Sequence, residues 1–252
     1  MADIVMDFDT DGKWNAKDVE GPAIHAPAKI KAIVIDKYRI EWLDISDPHT
    51  NFYAKNHMVA TVIFAHPVWI NDTACSSAPL SMELGPEKVV PDVNEEWVPG
   101  SEYNPGIYTL SVLDYNTPTR RSPHHLTFPL RQGTTIGTLI DKIIDKKMHH
   151  FLFLPYTLEG RWKGCGDHVL HCWAVFVHDG DITRADSEEN PGTAFSEELT
   201  KTYIQGGAST YEQVGRGWWL LYNPVEDEYT PETVYSCARL TYHLPHASTD
   251  WN

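Results

Sequence analysis

From Lys29 to Leu130 the chain passes through one alternating, β-branched segment after another with no helical period between them. That succession limits the fold more than any other feature. KIKAIVIDKYRIEWLDI (29–45), NHMVATVIFAHPVWI (56–70), PLSMEL (79–84), GIYTLSVLDYN (106–116) and PHHLTFPL (123–130) each read as a strand. Strands that follow each other without crossover helices predict antiparallel pairing. Pro67 is expected to interrupt or end the second strand, because proline cannot donate to a ladder. The stretch 85–106, with four prolines, is longer than an ordinary connection.

Helices enter late. In TTIGTLIDKIIDKK (134–147), Ile136, Leu139, Ile140, Ile143 and Ile144 fall on one face, and Thr134 or Thr135 is the expected cap. HHFLFLPY (149–156) returns as a strand. Residues 167–177 read as a helix opened by Asp167, a strand ended by the turn at 178–181 being the competing assignment. A loop and short helix stopped by Gly206-Gly207 occupy 185–207, and 215–224 and 233–245 are late strands. Residues 1–28 lack periodicity and read as an arm, or else as a docked edge segment. The whole is expected to be α+β: one domain over 29–252, an antiparallel sheet packed against a few helices.

A chain of 252 residues with 42% hydrophobic content is long enough to bury a sizeable core. Twenty basic residues against 35 acidic ones leave a net charge of -15. Such a surface repels phosphate backbones and anionic headgroups, so a small molecule, and neither nucleic acid nor membrane, is the expected partner. Four cysteines are too few for a disulfide scaffold. The acidic MADIVMDFDTDGKW has no basic segment before an apolar run, and no stretch reaches the roughly 18 apolar residues of a membrane span. A cytoplasmic protein with reduced thiols is expected. No phosphate-cradling glycine loop, complete dinucleotide fingerprint or G-x-S-x-G elbow occurs, so no cofactor is expected.

Reactive side chains concentrate in GRWKGCGDHVLHCWAVFVHDG (160–180). On a helix, Cys165, His168 and Cys172 share a face and resemble zinc ligands, but the second short ligand pair of a structural zinc site is missing, and no metal site is assigned. Position argues for other chemistry. A cysteine at the mouth of a helix meets the positive end of the dipole and free backbone N–H groups, which lower its thiol pKa and offer an oxyanion site. Cys165 is therefore the candidate nucleophile, with His168 beside it. His57, at the start of the second strand, is the candidate base. His66, Ser81 and Glu83 are equal candidates for the residue that orients it. Against this stands the ordinary reading that a cysteine in an apolar run is core.

The order of these features resembles the circularly permuted papain-like proteins, such as lecithin:retinol acyltransferase and its relatives. In them a strand beginning with His is followed by further strands and a helix, and a second helix then opens with the nucleophilic Cys. Here the matching residues are NHMVATVIF, the helix 134–147, the strand with Tyr156, and GCGDHVLHCW, with Gly164 where that family has Asn. The resemblance implies a permuted papain-like fold and acyl-transfer or hydrolytic chemistry at Cys165 and His57. NH, APLSMEL and the Gly-Cys motif are also similar to an uncharacterised family of filamentous-fungal proteins, which implies no activity.

A second functional class is a cofactor-free isomerase or cyclase of a fungal secondary metabolite, for example closing the ring of a chalcone-like phenol. Its residues would be His124, His125, Arg120 and Arg121 from TPTRRSPHH, with Trp173 and Trp218 as aromatic walls. For each of these the plainer reading is a solvated loop or packed core.

Overall fold

The computed structural model describes residues 4, 14–45, 56–85, 104–155, 162–193, 195–199, 201–206, 209–211, 217–223 and 228–232. Twelve strands occur among them: β1 (Glu20–Pro22), β2 (Ile35–Asp44), β3 (Asn56–Ile70), β4 (Thr73–Leu84), β5 (Asn104–Ser111), β6 (His124–Pro129), β7 (Phe151–Pro155), β8 (Trp162–Lys163), β9 (Lys201–Thr202), β10 (Thr210–Tyr211), β11 (Gly217–Asn223) and β12 (Glu228–Glu232). Four α-helices accompany them: α1 (Ala28–Lys31), α2 (Ile136–Asp145), α3 (Cys165–His178) and α4 (Phe195–Leu199).

The main sheet runs β12-β11-β7-β5-β4-β3-β2-β6, with β1 added to β5 and β8 to β7, while β9 and β10 pair separately. Every strand pair is antiparallel. The fold is α+β, an antiparallel sheet with a few helices, as the succession of alternating segments implies.

Alternation gives the sheet two different faces. Tyr38, Ile40 and Trp42 of β2, Met58, Ala60 and Val62 of β3, and Leu80 and Met82 of β4 are buried in the main core. The buried face of α3 packs there, with Phe176 edge-on to Tyr38 at 5.5 Å and Trp173 5.7 Å from Phe128. Residues between these carry the polar face. On it Arg39 and Glu41 form a buried ion pair at 2.9 Å. Arg39 also donates to the carbonyls of Asn116 and Thr117, and Glu41 accepts from Thr61 and from the Thr119 amide.

Several boundaries differ from the periodicity. β2 begins at Ile35 because Pro27, with φ -57°, starts the short helix α1 instead. Pro67 does not end β3: the strand continues through a register shift between Ile63 and Val68, where a missing donor is tolerated. β4 starts at Thr73, six residues before PLSMEL, since Asn71 (φ 48°) and Asp72 (φ 62°) form a two-residue hairpin turn. The segment 14–28 is the docked edge rather than a loose arm, with β1 paired to β5 and Trp14 and Ala23 in the core. Thr135, not Thr134, caps α2, in a reciprocal pair with Thr138. The late strand at 233–245 and Tyr156 lie outside the described residues.

Candidate active site

The site is built at one end of β3 and β4. Asn56 opens β3 and is fixed by its own amide, which accepts from the Tyr203 N–H and donates to the Tyr203 carbonyl, each at 2.7 Å. His57 follows. The β3–β4 register pairs Ala60 with Leu80 and Thr61 with Pro79. Continued by three residues, it places His57 opposite Glu83, and His57 Nε2 lies 3.1 Å from Glu83 Oε1. Of His66, Ser81 and Glu83, it is Glu83 that meets the His57 ring. His66, the other histidine considered, is exposed on the far half of β3.

Cys165 reaches His57 from α3. The helix begins at Cys165 itself, capped by Gly164 with φ 144°, so Asp167 lies inside the first turn rather than at the cap. Only glycine suits position 164. A Cβ there would sit 2.9 Å from two ring carbons of Phe151, and the backbone conformation is one that L side chains rarely adopt. The first intrahelical bond runs from His168 N–H to Gly164 C=O. The N–H groups before it have no helical acceptor, as at any helix start.

Burial disfavours the Cys165 thiolate, yet the hydrogen bond to His57, the charge of that ring and N–H donation from Met58 and Gly166 outweigh it, and the thiol pKa is lowered. The Met58 N–H lies 3.5 Å from Sγ. For His57, burial likewise opposes charge, and its hydrogen bonds to Cys165 and Glu83 outweigh that and raise it to about 10. The hydrogen bond from His57 chiefly lowers Glu83. Each group thus favours the charged form of its neighbour along the row.

The remaining candidates lie elsewhere. His168 turns into the core, its ring 5.5 Å from Tyr108 and 5.4 Å from Phe151 and its nitrogens 3.7 Å from Cys172 Sγ. Burial lowers it to about 3, so it is a neutral packing residue. Cys165 therefore faces His57 while His168 and Cys172 face inward, and the helical face that resembled a zinc site is divided. Among the described residues no three His, Cys, Asp or Glu side chains are grouped to hold an ion.

His124 and His125 open β6 on opposite faces. His124 stacks on Tyr203 at 4.0 Å with Nε2 3.1 Å from the buried Glu198, while His125 pairs with Glu189 at 3.6 Å. Arg120 and Arg121 are exposed, and their carbonyls accept from Gln205 and from the Asp44 amide. Trp173 is packed between Phe128 and Phe195. Trp218 stands on β11 opposite Leu152, and its side chain lies outside the described residues.

Fold and site together define an α+β protein with a cysteine–histidine–glutamate constellation at the start of a helix. Residues 78–219, more than half of the chain, match the family described as Domain of unknown function (DUF7770), and the chain belongs to it. The matched stretch holds Glu83 and Cys165, and His57 precedes it. No curated protein and no solved structure matches the chain.

Proposed function

We propose that this chain is a cysteine-dependent enzyme acting on a small-molecule carbonyl or acyl substrate, by acyl transfer or hydrolysis. One observation carries the reading: the Cys165 thiol, at the first position of a 14-residue helix, is hydrogen-bonded to a histidine that a carboxylate holds from behind. A structural core cysteine needs none of this, and Cys172, buried two turns later with its thiol pKa pushed up by burial, shows the ordinary state.

In this reading the Cys165 thiolate attacks the carbonyl carbon, a C–S bond forms, and the carbonyl π pair moves onto oxygen. The positive end of the α3 dipole favours that charge. The leaving group departs with the electrons of its bond and takes the proton held by His57. Water or another nucleophile then attacks the thioester, His57 accepts its proton, and Cys165 leaves as thiolate. Glu83 keeps the ring oriented and favours its charged form.

The order of a His-led strand, further strands, α2 and a Cys-led helix supports the likeness to permuted papain-like proteins. The cyclase reading draws less support, since Trp173 is core packing and Arg120 and Arg121 are loop residues. The test is acyl trapping. The protein is mixed with p-nitrophenyl acetate or an acyl thioester, quenched in acid and digested for mass spectrometry. An acyl group on Cys165, absent in Cys165→Ala, is expected; equal acylation of both proteins, or none of either, overturns the reading.

A further inference from the structure

The row of charge does not stop at Glu83. Ser81 lies two residues earlier on β4 and so projects from the same face. Its hydroxyl is hydrogen-bonded to the Glu83 carboxylate. Thr109 of β5 is the direct cross-strand partner of Ser81, and the two hydroxyl oxygens lie 3.1 Å apart. Ser81 is nearly buried, at 9% exposure, whereas the Glu83 side chain is 47% exposed.

Proton count sets the direction of this chain. An ionised carboxylate only accepts, so the single hydroxyl proton of Ser81 goes to Glu83. Ser81 Oγ is then an acceptor for the Thr109 hydroxyl, which shares its proton with the Ser81 carbonyl oxygen, 3.3 Å from Thr109 Oγ1. Glu83 therefore has a sheltered donor on one side and His57 on the other. A half-exposed glutamate has three rotatable bonds, and without such an anchor it would share its time between His57 and water.

We propose that Ser81, backed by Thr109, is a positioning residue that holds the Glu83 carboxylate against His57 and thereby sets the protonation balance of the Cys165–His57 pair. This rests on the cysteine-enzyme reading. It goes beyond it by extending the constellation to a fourth and a fifth residue, across three strands.

The readout is the pH dependence of Cys165 alkylation by iodoacetamide, followed by peptide mass spectrometry, with thermal melting as the check of folding. In Ser81→Ala the midpoint is expected to rise and the rate at pH 7 to fall about 3- to 10-fold, the size of one lost hydrogen bond to a charged group. Ser81→Thr, which keeps the hydroxyl, is expected to restore the wild-type midpoint. Thr109→Val leaves the Ser81 proton on Glu83 and is expected to move the midpoint in the same direction by less. A wild-type midpoint in Ser81→Ala overturns the inference, as does one in Thr109→Val if Ser81→Ala does not fold. Wild-type protein with an ordinary thiol midpoint instead overturns the enzyme reading beneath it, so the two failures are distinct.

Discussion

His57 and Glu83 stand across the β3–β4 hairpin with Nε2 and Oε1 3.1 Å apart, and the register shift between Ile63 and Val68 makes them meet, because the pairing that starts at the turn, Ile70 with Thr73, would carry His57 past Glu83. A one-residue slip would turn one of the two side chains to the opposite face. The irregularity around Pro67 is therefore part of the site although it lies in the far half of β3.

Replacing Glu83 by Gln keeps the shape and removes the charge that favours the imidazolium. The rate of Cys165 alkylation at pH 7 is expected to fall roughly 10- to 100-fold with little change in melting temperature. Glu83→Asp, which keeps charge but shortens the reach, is expected to fall between the two.

The raised pKa of His57 has a consequence for stability. A group whose folded pKa lies above its unfolded value contributes stability that is fully present below the unfolded value, about 6.5, and is lost as pH rises through the folded one. With His57 at about 10, the excess stability of wild type over His57→Ala is expected to shrink as pH rises from neutral through that value. Urea denaturation of both proteins across the range measures it.

Gly164→Ala is expected to destabilise the fold by about 2–4 kcal/mol, since it combines an unfavourable positive φ with a Cβ pressed against the Phe151 ring. The same change displaces the start of α3, so Cys165 alkylation should slow in the fraction that remains folded. Denaturant midpoints together with labelling rates check both effects.

The sequence already carried much of this arrangement, and the reason differs from part to part. β3 and α2 follow from period and, for α2, from local capping, which need no knowledge of the rest of the chain, whereas Asp167, the expected cap of α3, lies inside its first turn. Cys165 and His57 stood out because each sits at the end of an element, where a side chain can leave the core. Glu83 was one of three equal candidates, because choosing it required the register. The register depends on a hairpin that begins six residues before the visible strand PLSMEL, signalled by Asn71-Asp72, and on the shift between Ile63 and Val68, whose size no local pattern reveals. His168 was misleading for the opposite reason. Its sequence distance from Cys165 fits a shared helical face, but the rings of Tyr108 and Phe151, from two other strands, receive it in the core. Docking of 14–28 onto β5 was equally beyond local reading, since edge pairing depends on a strand about 90 residues away.

The pH profile of Cys165 alkylation decides whether His57 lowers the Cys165 thiol pKa. Mass spectrometry of the labelled peptides separates Cys165 from the buried Cys75 and Cys172, whose thiols burial pushes up. Cys165 is expected to react before Cys75 and Cys172, with a midpoint below the ordinary thiol value of about 8.5 that moves up in His57→Ala. A midpoint at or above that value, unchanged in His57→Ala, would contradict it.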